Sequence, residues 1–463
     1  MKDNASPVIP ITPLYAKRKK IHPRTIHGLF QRWRWVFVWL TQLLFYGLPW
    51  LPWNGRQAVL FDLDARRFYV FDLVLWPQDT IYLAALLVLS ALALFLFTAV
   101  AGRLWCGYTC PQTVYTEIFL WIEARVEGDR NKRMKLDQAP WSLHKLTLRV
   151  LKHSLWLLVS AWTGFTFVGY FTPIDQLGSA FVTGTAGAWS MFWVCFYALA
   201  TYGNAGFMRE QMCKYICPYA QFQTVMFDND TLIIAYDQQR GESRGGRARS
   251  ADPTALGLGD CIDCSICVQV CPTGIDIRDG LQMECIGCAA CIDACDQVMD
   301  KMNYPRGLIR YSSENALVGG HNPVRRMLRP RVLIYSVIFL VLSVALAASL
   351  MTRMPLKVDL QRDRNTLARE VADGQIENVF QLVIINATET AHDYRIAVDG
   401  LDGIRLDQTQ AIRIDAASRG SSVIRVHAPA DAAASGAHDI RFTVTDVADP
   451  SVSVSERSRF WLP

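Results

Sequence analysis

The chain has 463 residues, enough for about three domains, and 51% of them are hydrophobic, including 14 tryptophans. That is too apolar for an ordinary soluble protein. The net charge of +5 is modest and unevenly spread, so composition argues against a nucleic-acid-binding chain.

Residues 1–34 form a basic arm carrying Lys17, Arg18, Lys19, Lys20, Arg24, Arg32 and Arg34. It lacks the apolar core of a cleavable signal peptide. Five uncharged stretches follow, at about 35–53, 80–102, 154–174, 186–207 and 332–352. Each is long enough to cross a bilayer, which needs roughly 20 apolar residues. The first is the weakest, because Gly47, Pro49 and Pro52 interrupt its end. Arginine and lysine crowd the N-terminal arm, the second connection (Arg125 to Lys152) and the long fourth connection (Arg209 to Arg331). The third connection has none. In the first, Arg56, Arg66 and Arg67 are offset by Asp62, Asp64, Asp72 and Asp79. The positive-inside rule then places the N-terminus and both basic connections in the cytoplasm of a multi-pass inner-membrane protein, and the C-terminus in the periplasm.

Region 35–207 holds four of these stretches and a Cys106-x3-Cys110-Pro111 motif. Region 208–237 repeats it as Cys213-x3-Cys217-Pro218. Both read C-x-Y-x-C-P at cytoplasmic helix ends. Cysteines four apart share a face if the turn is helical, and proline suits the first turn of a following helix. Two such pairs can converge into a site of up to four thiolates. Soft sulfur favours copper(I), zinc or iron–sulfur clusters. Arg103, Arg209 and Lys214 are expected to lower the thiol pKa values. Met208 and Met212 are candidate thioether ligands, with ordinary packing the alternative. Cys195 reads as a core residue. His144 and His153 read as interfacial side chains, with metal or quinone binding the alternative.

Residues 238–254 are polar, glycine-rich and basic, and read as a flexible linker. Domain 255–331 carries the strongest signal. Cys261, Cys264, Cys267 and Cys271 are spaced C-x2-C-x2-C-x3-C, and Cys285, Cys288, Cys291 and Cys295 repeat the spacing. This is the pattern of a ferredoxin with two [4Fe–4S] clusters, in which the fourth cysteine of each run serves the other cluster. One cluster takes Cys261, Cys264, Cys267 and Cys295; the other takes Cys271, Cys285, Cys288 and Cys291. Zinc sites favour two separated C-x2-C pairs, and disulfides need an oxidising compartment. Asp296 stands where Pro272 follows the first run. After the fifth stretch, residues 356–463 show short alternating runs at 379–385, 394–398, 411–414, 422–426, 440–444 and 452–459, separated by turn signals. They read as an antiparallel sandwich. The sequon at Asn386 carries no weight.

The expected fold is a polytopic α-helical membrane protein of about five transmembrane helices. A cytoplasmic α+β ferredoxin domain with two [4Fe–4S] clusters and a C-terminal all-β immunoglobulin-like sandwich complete it. Two C-x3-C-P motifs, a two-cluster insert, a fifth helix and that tail, in this order, resemble the cytochrome oxidase accessory family CcoG, also called FixG or RdxA, over nearly the whole chain. The resemblance implies reduction of Cu(II) to Cu(I) for a copper-exporting P-type ATPase during assembly of cbb-type cytochrome oxidase. In that reading Cys106, Cys110, Cys213 and Cys217 handle copper as substrate, the eight ferredoxin cysteines bind the clusters, and the electron donor is unknown. Two alternatives stand beside it: a quinol-linked respiratory electron-transfer subunit, and a non-catalytic assembly scaffold.

Overall fold

The computed structural model describes residues 20–253, 255–319, 328–363, 368–371, 374–407 and 410–463. Lys17, Arg18, Lys19 and the signal-peptide reading lie outside them. The chain divides into two units. One gathers the arm up to Gln42, Leu94–Gly164 and Val194–Ile334. The other gathers Leu43–Ala93, Phe165–Trp193 and Tyr335–Pro463. Each change of unit falls inside a long helix: Leu29–Gly47, Thr80–Ala101, Leu143–Val168, Ala188–Gly206 or Pro330–Met351.

Two helices among the described residues, Pro77–Ala101 and Pro330–Met351, are long and apolar enough to cross a membrane. A helix apolar on every face needs either a large core or lipid around it. Only 17% and 6% of their most apolar windows are buried, so the protein itself does not supply that cover. Length and composition thus support two of the five crossings expected from sequence and leave the other three without that support. The first and third also start earlier than expected and take in cations. The Asp293 carboxylate accepts from the Phe30 and Gln31 amides (3.2 and 2.8 Å), capping Leu29–Gly47 from a distant segment. Ser142 Oγ accepts from the Lys145 amide (3.2 Å) and starts Leu143–Val168. Arg32, Arg34, Lys145, Arg149 and Lys152 are therefore helical. Cys195, read as core, is exposed on the face that also exposes Phe192, Phe196 and Leu199.

In the unit that ends the chain, all six expected strands form. Gln375–Asn386 pairs with Arg419–Pro429 and Leu356–Arg362, with Arg369–Val371 and Arg405–Leu406 at the margins. The second sheet runs Ile412–Ile414, His392–Asp399, Gly436–Asp446 and Ser453–Leu462. All pairings are antiparallel. Alternation brings Phe380, Leu382, Val426, Phe442, Val444 and Phe460 into one fully buried core. The first connection, unassigned from sequence, forms a three-stranded sheet of Val59–Asp62, Arg67–Val70 and Leu73–Leu75. Its Leu60, Tyr69, Val74 and Trp76 pack on Ile385 and Ala417 of the sandwich. Buried Asp79 binds Arg353 (2.6 Å) and Lys357 there. Asn386 is fully buried and donates to the Thr390 carbonyl (2.7 Å).

In the other unit, Ile266–Val270 and Ala290–Met302 lie beside an antiparallel pair, Ile233–Tyr236 with Ile309–Ser312. The segment read as a flexible linker is tied down instead. Asp237 caps the turn Gln238–Gly241, Arg240 pairs with Asp260 and reaches the Arg306 carbonyl (2.9 Å), and Arg247 donates to Tyr304 Oη (3.0 Å). Its arginines, which suggest solvation in sequence, find carbonyl and hydroxyl acceptors that only the folded domain assembles.

Candidate functional site

The two cysteine runs fold into matching loops. In each, the residues on both sides of the second cysteine adopt left-handed backbone: Asp263 and Ser265 around Cys264, Gly287 and Ala289 around Cys288. Left-handed backbone at non-glycine residues costs roughly 1–2 kcal/mol each, and such strain gathers at functional sites. Alternating right- and left-handed residues turn backbone amides into an anion-binding nest of the kind found at iron–sulfur sites. A helix follows each loop, the short Ile266–Val270 and the longer Ala290–Met302.

Two small cavities result. One is lined by Cys261, Cys264, Cys267 and Cys295. The other is lined by Cys271, Cys285, Cys288 and Cys291, with Cys267 at its margin. The last cysteine of each run thus sits with the first three of the other. Apolar Ile262, Ile266, Ile286, Val298 and Met299 close the walls. Among the described residues, no three cysteine, histidine or acidic side chains stand close enough to share a single metal ion. Each cavity is lined by four thiols among apolar side chains, and these residues fit a [4Fe–4S] cluster in each.

The C-x3-C-P motifs also repeat one another in three dimensions. Cys106 lies in the turn Leu104–Tyr108, and Cys213 in the wide turn Met212–Ile216. Cys110 and Cys217 follow in extended backbone, and each donates its amide to the carbonyl five residues back, Trp105 (3.0 Å) and Met212 (2.8 Å). Pro111 and Pro218 then open Pro111–Val126 and Pro218–Met226. This corrects one expectation: the chain leaves the helix before the second cysteine, so the pair does not share a helical face. The four thiols feel one another electrostatically, yet they are not drawn up as one ion's ligand set.

A second correction concerns their ionisation. Burial pushes the Cys106 thiol up to about 12 and Cys213 up to about 11, and raises Cys110 as well. Arg103 opposes the rise at Cys106 and Cys213, but desolvation wins. The other two expected cations are engaged elsewhere, Arg209 with Glu123 (3.1 Å) and Lys214 with Glu284 (3.6 Å). Met208 and Met212 lie one turn apart, half-buried, joined by the Met212 amide to the Met208 carbonyl (2.9 Å). His153 Nδ1 bonds Tyr202 Oη (2.9 Å) and stacks on Phe207, a packing role, while His144 is exposed.

The motifs rest directly on the second cysteine loop. A Cβ on Gly107 would lie 2.7 Å from the Gly287 carbonyl oxygen and 3.0 Å from Cys288 Cα. Only glycine permits that approach. Arg103, buried, reaches the Cys285 carbonyl (3.2 Å), the Met283 carbonyl and the Ala220 carbonyl (2.8 Å). It thereby ties the first motif, the helix after the second motif and the cluster loop together. Cys106 and Cys213 pack into the same apolar group as Ile286, Cys288 and Cys291. Arg103 is plain in the sequence; its three carbonyl partners are not.

Comparison with known proteins places these pieces. Residues 208–314 match the 4Fe-4S dicluster domain family, residues 83–128 a 4Fe-4S binding domain, and residues 346–463 the IG-like fold at the C-terminal of FixG. The chain is 39% identical to protein RdxA of Cereibacter sphaeroides over 95% of its own length and 96% of that protein. It is 38% identical to nitrogen fixation protein FixG of Rhizobium meliloti, covering 84% and 81% of the two chains. The ferredoxin-type protein NapH of Escherichia coli is 22% identical over 53% of this chain and 82% of its own. A crystal structure of a FixG-related protein from Vibrio parahaemolyticus aligns with 23% of this chain and 95% of its own, at 27% identity and a TM-score of 0.21.

Proposed function

This chain belongs to the FixG/RdxA family of iron–sulfur electron-transfer proteins, and we propose that it passes single electrons to Cu(II), releasing Cu(I) on the cytoplasmic side of the inner membrane. The copper would go to a copper-exporting P-type ATPase that serves assembly of a cbb-type cytochrome oxidase.

The observation that carries this reading is the seating of Gly107 and Arg103 on the loop of Cys285 and Cys288. It brings a soft-ligand site against a redox centre. When bound, [4Fe–4S] clusters supply one-electron storage. Cys261, Cys264, Cys267 and Cys295 would hold one, and Cys271, Cys285, Cys288 and Cys291 the other. Cys106, Cys110, Cys213 and Cys217 would bind the copper substrate. Cu(II) gains one electron and becomes Cu(I), the ion that thiolates prefer, which draws the reduction forward. Because burial keeps Cys106 and Cys213 protonated, the incoming ion must displace their protons.

We read all five long helices as membrane crossings. Support comes from the composition of the units: the arm, the second connection and the ferredoxin region in one, the first and third connections and the sandwich in the other. That is the alternation the arginine and lysine count gives.

The test is anaerobic. The purified protein is reduced with dithionite, the excess is removed, and Cu(II) is added with a Cu(I)-specific chelator. Cluster reoxidation and Cu(I) formation should match in stoichiometry, and should uncouple when Cys106, Cys110, Cys213 and Cys217 are changed to serine. Clusters that stay reduced in the presence of Cu(II) would sink the reading.

A further inference from the structure

A cavity of about 810 Å³ lies in the ferredoxin-bearing unit and is not used by the copper chemistry. One end is walled by Val270, Pro272 and Ala290, immediate neighbours of the cluster residues Cys271 and Cys291. Another part of the lining is apolar and outward-facing: Val36, Trp39 and Trp121 are 51%, 62% and 48% exposed. Trp35 meets Trp121 edge-on at 6.3 Å between ring centres. The lining also holds a polar pair with little exposure, Arg34 and Glu117. Glu117 accepts from Arg34 (2.6 Å) and from Gln31 (2.6 Å), while Arg34 also donates to Gln31 Oε1 (3.0 Å).

We infer that this cavity binds a membrane quinol and that the quinol is the electron donor to the cluster pair. The occupant must enter through an apolar, aromatic wall on a helix read as membrane-crossing. It must hydrogen-bond a buried Arg–Glu–Gln group at its head, and it must deliver electrons beside Cys271 and Cys291. A flat ring bearing two hydroxyl groups on a lipid tail meets all three demands. Concave, largely apolar sites with few convergent polar groups are the usual form of such cofactor pockets. Oxidation breaks both O–H bonds. Two protons pass to water beside Arg24 and His27, the clusters that the eight cysteines would hold would take the two electrons one at a time, and the product is the quinone. Two Cu(II) ions then balance each quinol. This rests on the copper reading above and supplies its reductant.

The experiment uses the full-length, cluster-loaded protein in detergent. Decylubiquinone is titrated while tryptophan fluorescence is followed, with phosphatidylglycerol as the competing lipid. Decylubiquinol is then added anaerobically while cluster absorption is recorded. Wild type should show saturable quenching that the lipid does not displace, and cluster bleaching. Ala124→Phe, which fills the cavity, and Val36→Phe, an exposed change at its mouth, should each weaken binding about tenfold or more, equivalent to roughly 1.4 kcal/mol. Cluster absorption before reduction reports that both variants fold. Equal quenching in wild type and both variants, or displacement by the lipid, would overturn the assignment. If dithionite-reduced wild type reduces Cu(II) but decylubiquinol neither binds nor bleaches, the cavity assignment fails alone. If decylubiquinol binds and bleaches while Cu(II) is never reduced, the copper reading fails and the quinol site stands.

Discussion

The sandwich and the cluster-binding loops solve the problem of a core in opposite ways. In the sandwich, Gln375–Asn386 and Arg419–Pro429 pair over eleven consecutive positions, and the side chains that meet between the sheets are aliphatic or aromatic, among them Phe380, Leu382, Ile384, Ile424 and Val426. Across residues 261–295 the helices are short, the loops are long, and cysteines stand where aliphatic side chains would otherwise meet. Apolar burial of about 25 cal/mol per Å² can sustain the first arrangement unaided. The second depends on what its thiols hold, because metal binding there is also folding free energy.

The largest expected effect comes from stripping the clusters by oxidation and chelation. Trypsin should then cut freely after Arg278, Arg306 and Arg310, while the sandwich stays protected at Arg425 and Arg441. Equal protection in both regions would mean that the loops fold without their clusters. A smaller effect is expected from Phe442→Ala. Phe442 is fully buried 5.1 Å from the Phe380 ring centre, and the cavity should cost about 3–5 kcal/mol in denaturant unfolding of the sandwich. Cluster absorption of the same sample should not change. The smallest is Gly107→Ala. The new Cβ meets backbone at Gly287 and Cys288, so about 1–3 kcal/mol of strain is expected. Electron paramagnetic resonance should then show a change in the cluster of Cys285, Cys288, Cys291 and Cys271, with the other spectrum intact. If both spectra move together, the first motif does not touch one loop selectively.

The same contrast explains what could be read in advance. The six main strands were legible because a sheet with one buried face writes its period of two into the chain. The narrow partners Arg369–Val371 and Arg405–Leu406 were not, since two or three residues carry no period. The strands between Val59 and Leu75 were missed for a related reason. They bury residues against the sandwich, and a membrane connection gives no local sign of such a partner. Among the charged groups, no local pattern marks the partners of Glu117, Glu123 and Asp79: their cations, Arg34, Arg133 and Arg209, Arg353 and Lys357, stand from ten to nearly 280 positions away.

Sequence alone determined the ligand rulers, the two C-x3-C-P repeats and the apolar spans, because each is a spacing or a run within one short segment. Tertiary structure decided the rest. It set the thiol ionisation, because desolvation depends on everything packed around Cys106 and Cys213. It opened the C-x3-C pairs by ending the helix before Cys110 and Cys217. It seated Arg103 and Gly107 on the loop of Cys285 and Cys288, a contact between residues some 180 positions apart. No local pattern records such a distance; only the folded chain closes it.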